Sequence, residues 1–531
     1  MTCYLRRAVL VNSRSAKLGL LFVDSTSQRT SQFEGFVVHW LDHVVGRIHA
    51  AYRSCSTPLV CLVLFFHWIV SRGDQTHGTE IHRARIQFSE SVELIRSIEC
   101  DFRGQSRSRS RIEAVAGNRR FQVTFSNSLT PPNLTQRTVA HVDGYQVDDH
   151  LEVDSYKITS PIVAVVPPKY GERRVLVIFA NLTDLKYDLA HMKDFVEDMA
   201  KAGEFFLKSS RGSMTLKTTF VPEAISISLS SDNPDTSTVA SLASVQVGTK
   251  YPDLVKNGYD HYIYAIPYVS SVMWAGLAHV GGTNLFINGK WGWTCLVHEI
   301  GHNLGLEHAR GLAPITSDPI GPGYDMEYGD LFDIMGNTWG AIDYNAAHKA
   351  RLGWIRPEET TQAVASGVYR LFRHDHAGAS GQQLLNVGYG LNDYYALEYR
   401  QDPLNPGAIA GVEIRKCYRT HLTEATYRTE LLDMSPLSTG GWQDSPLALG
   451  KVYSDPAQEI EITPLAFGGN PPNEYVDVKV ITPDFIPRLV INSIHHGQLV
   501  TLYEPLVIKS TLGLNERCYH PNGFQGVRIG V

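Results

Sequence analysis

The stretch "TCLVHEIGHNLGLEHARG", residues 294–311, sets histidines at 298, 302 and 308 around a glutamate at 299 and a glycine at 305. His298 and His302 are four residues apart, so on an α-helix they project from one face, one turn above the other. Two neutral imidazoles on adjacent turns can reach the same metal ion, at about 2.0–2.1 Å each. Val297, Ile300 and Leu304 form a separate apolar stripe that would hold the helix against a core. Gly305 stands where the helix should end, because glycine takes the left-handed conformation beyond a helix C-terminus without a Cβ penalty. The chain can then turn and return His308 as a third ligand. Glu299, beside His298, is placed to meet a water on the metal rather than the metal itself. The pattern predicts three ligands and one base on a helix-turn.

Working outward, "VLVIFANL", 175–182, is a continuous apolar run of the kind found in a strand buried on both faces. A helical stretch follows from about 186 to 207, and "SMTLKTTFVP", 213–222, alternates as a strand. Residues 168–357 therefore read as an α+β catalytic domain, a twisted sheet with the histidine helix packed on it. Beyond Pro357, short runs such as "GVYRLFRH", "YYALEYR", "EYVDVKVI" and "RLVINSI" predict a β-rich, sandwich-like domain over 358–531. Upstream, 76–167 carries short alternating runs such as "RRFQVTF", 119–125, and reads as a β-rich, propeptide-like module. "VVPPKYGERR", 165–174, marks its end, since two prolines cannot continue a central strand.

Residues 1–75 form an N-terminal extension. "FVVHWLDHVVGRI", 36–48, has the period of an amphipathic helix. "PLVCLVLFFHWIV", 58–70, is apolar but would span only about 20 Å as a helix, short of a ~30 Å hydrocarbon core. It fits a signal or signal-anchor segment, so a membrane enters only if 58–70 acts as an anchor. "RGQSRSRSR", 103–111, reads as a solvated basic loop, with a processing site as the sharper alternative. A net charge of −6 gives no reason to expect a nucleic-acid partner. Seven cysteines are too few for a disulfide scaffold and permit one or two bridges, Cys417–Cys518 among the candidates.

The full pattern H-E-x-x-H-x-x-G-x-x-H resembles the metzincin metallopeptidases. "EYGDLFDIMGN", 327–337, supplies Met335 for the methionine turn that such enzymes carry beneath the metal. "YNAAHKARLGWI", 344–355, and "WAGLAHVGGTNLFING", 274–289, make the chain similar to the gametolysin (M11) family of secreted, wall-lysing peptidases. That resemblance implies one catalytic zinc held by His298, His302 and His308, and hydrolysis of peptide bonds by a zinc-activated water with Glu299 as general base. It further implies protein or glycoprotein substrates of an extracellular matrix or wall, proline-rich ones included, and secretion or display at the cell surface. Some metzincins place a tyrosine two residues after the methionine; here that position is Asn337, with Tyr328 and Tyr344 as possible substitutes. Cys295 is expected to be a small buried residue and His279 a structural one. Cys100 could in principle occupy the zinc of a zymogen, but "IECDFRG" departs from the matrixin prodomain motif and does not place it there. Two other readings stay open: a non-catalytic surface or adhesion protein that keeps a structural zinc, and a zincin of another family, such as the immune-inhibitor-A-like peptidases.

Overall fold

The computed structural model describes two short paired strands, Ala8–Val11 and Gly19–Phe22, and, with brief gaps, residues 85–483. The expectations for 36–48, 58–70 and most of 103–111, and those for residues beyond 483, lie outside the described residues. The chain divides into a unit ending at Arg83 and one beginning at Ala84. Among the described residues no helix is long and apolar enough to cross a membrane.

The second unit opens with five strands: β1 (Ile86–Cys100), β2 (Arg109–Ala116), β3 (Arg119–Phe125), β4 (Thr138–Val147) and β5 (His150–Ile158). They follow the order β1-β2-β3-β5-β4, and β4 pairs back onto β1, closing the ring. Phe88, Leu94, Phe121, Val142 and Leu151 fill its interior. Alternation along each strand sends one set of side chains inward, which is why the sequence reads as short polar–apolar runs. Strand β1 has fifteen residues, too long for the ring. Its first part pairs with β4, Glu93–Glu99 pair with β2, and its last four residues also pair, along their other edge, with a different partner strand.

That partner belongs to a sheet built from β6 (Gly171–Asn181), β7 (Met214–Phe220), β8 (Ile225–Ser226), β9 (His261–Ile266), β10 (Gly276–His279) and β11 (Asn284–Asn288). Pairing runs β8-β6-β9-β11-β10 with β7 also on β6; all are parallel except β10, which is antiparallel to β11. Val175, Val177 and Phe179 of β6 point to one face, against helix α1 (Leu189–Ser209) and helix α3 (Trp293–Asn303). Leu176, Ile178 and Ala180 point to the other, against α2 (Thr236–Lys250). A strand covered on both faces must be apolar throughout, and residues 175–180 are all buried. The strand, helix and strand read at 175–182, 186–207 and 213–222 are borne out.

After α3 the chain forms β12 (Ala309–Pro314), β13 (Gly323–Met326) and the short helix α4 (Ala346–Leu352). The remainder is β-rich: β14 (Thr360–Gln362), β15 (Gly367–Phe372), β16 (Leu384–Gly388), β17 (Tyr394–Glu398), β18 (Gly411–Arg419), β19 (Tyr427–Leu432), β20 (Leu447–Ala448), β21 (Tyr453–Asp455), β22 (Ile460–Gly468) and β23 (Tyr475–Ile481). They make two sheets, β13-β12-β19-β18-β17-β16-β14 with β20 on β18, and β15-β23-β22-β21. The two share one core that includes Leu397, Ile414, Leu371 and Val478. The chain is thus β-rich with a mixed α+β part around the histidine helix. The first of these two sheets also recruits β12 and β13, which directly follow His308. Cys417 is a buried thiol; Cys518, its suggested partner, lies outside the described residues.

Candidate metal centre

Helix α3 ends as its glycine dictates. Gly305 has φ of 95°, the Leu306 amide donates to Gly301 O at 3.0 Å, and the Gly305 amide donates to His302 O at 2.8 Å. These two bonds satisfy the last carbonyls and turn the chain back toward the helix. Val297, Ile300 and Leu304 face the core with Phe205 and Phe206 of α1. The opposite face carries His298 and His302, and the turn brings His308 onto them. All three are buried.

Each imidazole is oriented by its Nδ1. His298 Nδ1 lies 3.0 Å from Ile334 O, His302 Nδ1 2.9 Å from Leu306 O, and His308 Nδ1 2.9 Å from a Glu327 carboxylate oxygen. These partners only accept, so each Nδ1 must carry the proton, and each Nε2 presents a lone pair. The three Nε2 atoms converge, with those of His302 and His308 only 3.1 Å apart. Into the same point projects Cys100 Sγ, at 3.4 Å from His298 Nε2, 3.4 Å from His302 Nε2 and 3.5 Å from His308 Nε2. The four ligand atoms lie within 4.8 Å of one another. A tetrahedral zinc with ordinary bond lengths separates its N and S ligands by roughly 3.3–3.6 Å. The set fits that ion, because three Nε2 lone pairs and a cysteine sulfur converge at the spacing of its ligands. The residues that hold His308 and the turn, Glu327 and Gly301, carried no sequence signal beyond their place in the two motifs.

Cys100 is the residue that the sequence reading left out of the site. It arrives on the end of β1, which pairs antiparallel with β10: Gly276 faces Cys100 and His279 faces Ser97. Cys295, in the first turn of α3, is buried in the core and is not part of the cluster. His279 is buried, and its carbonyl accepts from Asn303 Nδ2 at 2.9 Å.

Glu299 is fully buried, with the Cys100 thiol beside its carboxylate. It lies against Gly276, where an added Cβ would sit 2.2 Å from a carboxylate oxygen. Burial pushes its carboxyl well above the usual range. It likewise pushes the Cys100 thiol up, with the Glu299 charge adding to the effect. Burial, with His308 nearby, lowers His298 to about 3. Glu327 goes the other way: burial would raise it, but the hydrogen bond and charge of His308 bring it down to about 2. A divalent cation among the imidazoles would favour the ligating, deprotonated forms that burial opposes.

Met335 lies beneath the helix. At Gly301 an added Cβ would meet Met335 Sδ at 2.5 Å and Tyr344 Oη at 2.8 Å. Asp333 shapes this turn, accepting from the Met335 amide at 2.6 Å and the Asn345 amide at 2.7 Å, with His348 Nδ1 2.8 Å from its carboxylate. Of the two tyrosines considered in place of Asn337, Tyr344 donates to Val297 O on the core side of the helix. Tyr328 instead packs its ring 4.2 Å from that of His308, and its backbone is left-handed at φ 59°. A non-glycine residue held there marks a position fixed by its surroundings.

The segment around this site is similar to a metallopeptidase family. Residues 237–383, which include the three histidines, Glu299 and Met335, match the family model of gametolysin peptidase M11. No curated protein matches the chain. Two solved structures are similar at a low level. One, titled "Structure of a chaperone-substrate complex", is 12% identical, covering 39% of this chain and 32% of its own, at a TM-score of 0.23. The other, the crystal structure of metalloproteinase-II from Bacteroides fragilis, is 14% identical, covering 46% of this chain and 75% of its own, at a TM-score of 0.22.

Proposed function

We propose that the chain is the latent form of a secreted or cell-surface zinc endopeptidase of metzincin type, acting on matrix or cell-wall proteins and glycoproteins, proline-rich ones included. The observation that carries the reading is the convergence of three Nε2 lone pairs and Cys100 Sγ on one point, beside the fully buried Glu299 carboxylate. His298, His302 and His308 hold the zinc, and Cys100 fills the position that a substrate needs. When bound, the metal supplies Lewis-acid polarisation of a carbonyl and acidifies water. Glu299 takes the proton of the attacking water and passes it to the leaving amine nitrogen. Tyr328 stands where its hydroxyl can support the developing oxyanion, and Gly276 leaves room for Glu299 to move. Once β1 withdraws, the edge of β10 is open to pair with an extended peptide. The 76–167 module is then an inhibitory propeptide, and the apolar 58–70 segment directs export.

One observation favours a second reading. A zinc closed by four protein ligands is the usual form of a structural site, so the ion could simply tie β1 to α3 in a non-catalytic surface protein. The two diverge when the thiol is removed. Treating the full-length protein with a thiol-modifying reagent should produce peptide hydrolysis that a chelator abolishes and added zinc restores. Loss of fold without any hydrolysis would instead support the structural reading.

A further inference from the structure

The last residues of β1 lie along the open edge of β10 as an extended peptide. Beyond the four paired residues, the Ala275 amide donates to Cys100 O and the Val280 amide to Arg96 O, each at 2.8 Å. Alternation then places Cys100, Ile98 and Arg96 on one side of the strand. Cys100 meets the imidazoles, Ile98 packs on Val280, and Arg96 lays its guanidinium on Glu307, the residue directly before His308. That pair is a two-pronged fork, its Nη2 arm 3.1 Å long, with side chains only 14% and 11% exposed. Arg96, Ile98, Glu307, His308 and Glu327 line one cleft. The nearby Arg310 is already engaged with Asp325 and Glu327.

A peptide that is to be cut must bring its carbonyl to the point Cys100 now occupies, and the edge of β10 offers the backbone bonds to hold it there. Its side chains then enter the pockets of Ile98 and Arg96. Glu307 loses its guanidinium fork when β1 leaves, and its two oxygens are then open to another guanidinium or ammonium that arrives in the same subsite. We propose that Glu307 is the specificity carboxylate of this cleft. It selects substrates with Arg or Lys on the N-terminal side of the cut bond, about four residues back, the offset of Arg96 from Cys100; Arg96 occupies that subsite in the latent chain. The proposal rests on the endopeptidase reading above.

Two measurements on the full-length protein test it. In the first, mass spectrometry follows labelling of Cys100 by a maleimide in wild type, Arg96→Lys and Arg96→Ala, with no activity required. Labelling should be at least about tenfold faster in Arg96→Ala, the scale of a lost charge-assisted fork, with Arg96→Lys between the two; equal rates overturn the anchoring. In the second, the protein activated by limited proteolysis cuts a random peptide library. Wild type should enrich Arg and Lys at the stated position by about tenfold or more, Glu307→Gln should lose the enrichment, and Glu307→Arg should reverse it toward Asp and Glu. Chelator-sensitive cleavage by wild type that ignores charge there overturns this proposal and leaves the endopeptidase reading standing. Absence of any chelator-sensitive cleavage overturns both.

Discussion

Two groups of buried polar side chains lie on either side of the methionine turn, and they are built on opposite principles. On one side, Arg400 and Arg415 interlock with Asp330, Glu398, Glu413 and His374. Arg415 Nε is 2.6 Å from Asp330, its Nη1 2.8 Å from Glu398 and its Nη2 2.7 Å from Glu413; His374 Nε2 is 3.1 Å from Glu398. Burial raises the Glu413 carboxyl above its ordinary range, against the pull of the Arg400 and Arg415 guanidiniums beside it. On the other side, three imidazole lone pairs and a thiol sulfur converge beside the buried Glu299. Each charge of the first group meets its opposite; the second gathers atoms that can ligate one cation. The first fastens the C-terminal sheets to the loop that carries Tyr328 and Met335, because Asp330 also accepts from the Phe332 amide at 3.0 Å. A buried polar cluster whose charges are paired holds a structure together, and one whose ligating atoms converge on a point suits a metal and its chemistry.

Mutations should separate the two groups. In the metal cluster, Glu299→Gln keeps the side chain's size but cannot accept a proton. Peptide turnover of the activated enzyme should fall by about 10²–10⁴-fold or more while zinc content, read by elemental analysis, stays at wild type. His302→Ala should lose zinc and activity together. In the ion network, Arg415→Met leaves Asp330 and Glu398 buried without their partner, and denaturant unfolding should show a loss of about 3–5 kcal/mol. Zinc stoichiometry should not change, since no ligand depends on Arg415. A smaller stability loss in Arg415→Met than in Glu299→Gln, both carrying zinc, would erase the contrast.

Acid should act next in size. His261 Nδ1 lies 3.1 Å from Asn303 Oδ1 at the end of the metal helix, and burial lowers its pKa to about 4. The folded protein therefore holds it neutral, while the unfolded chain takes up a proton near pH 6.5. Its contribution is fully present above about pH 6.5 and is lost as the pH falls toward 4, by on the order of 3 kcal/mol. Unfolding midpoints at pH 7 and pH 4.5 should differ more for wild type than for His261→Leu. The smallest effect is expected at Gly301→Ala, where the new Cβ would press on Met335 and Tyr344. Such overpacking typically costs about 1–3 kcal/mol, and a thermal melt unchanged from wild type would show that the methionine floor can give way.

The metal helix was legible because its constraints are local. Ligand spacing, apolar stripe and ending glycine all lie within eighteen residues, and one period connects them. The buried strand 175–182 was legible for a similar reason, since burial on both faces leaves no polar position. Cys100 was not. It comes from 198 residues before His298 on a strand whose first nine residues serve another core, and nothing in "IECDFRG" states which edge it will join. The ion network was hidden for the same reason: Arg415 and Asp330 are 85 residues apart, and each reads alone as an ordinary surface charge. The use of β12 and β13 by the C-terminal sheet likewise depends on a strand edge that no local pattern reveals.

Zinc K-edge X-ray absorption of the full-length protein tests the central claim most directly. The account predicts one zinc per chain with three nitrogen scatterers at about 2.0–2.1 Å and one sulfur at about 2.3 Å, the sulfur shell vanishing in Cys100→Ser while the nitrogens remain. A zinc surrounded only by nitrogen and oxygen in the wild-type chain, or a sulfur shell that survives Cys100→Ser, would contradict it.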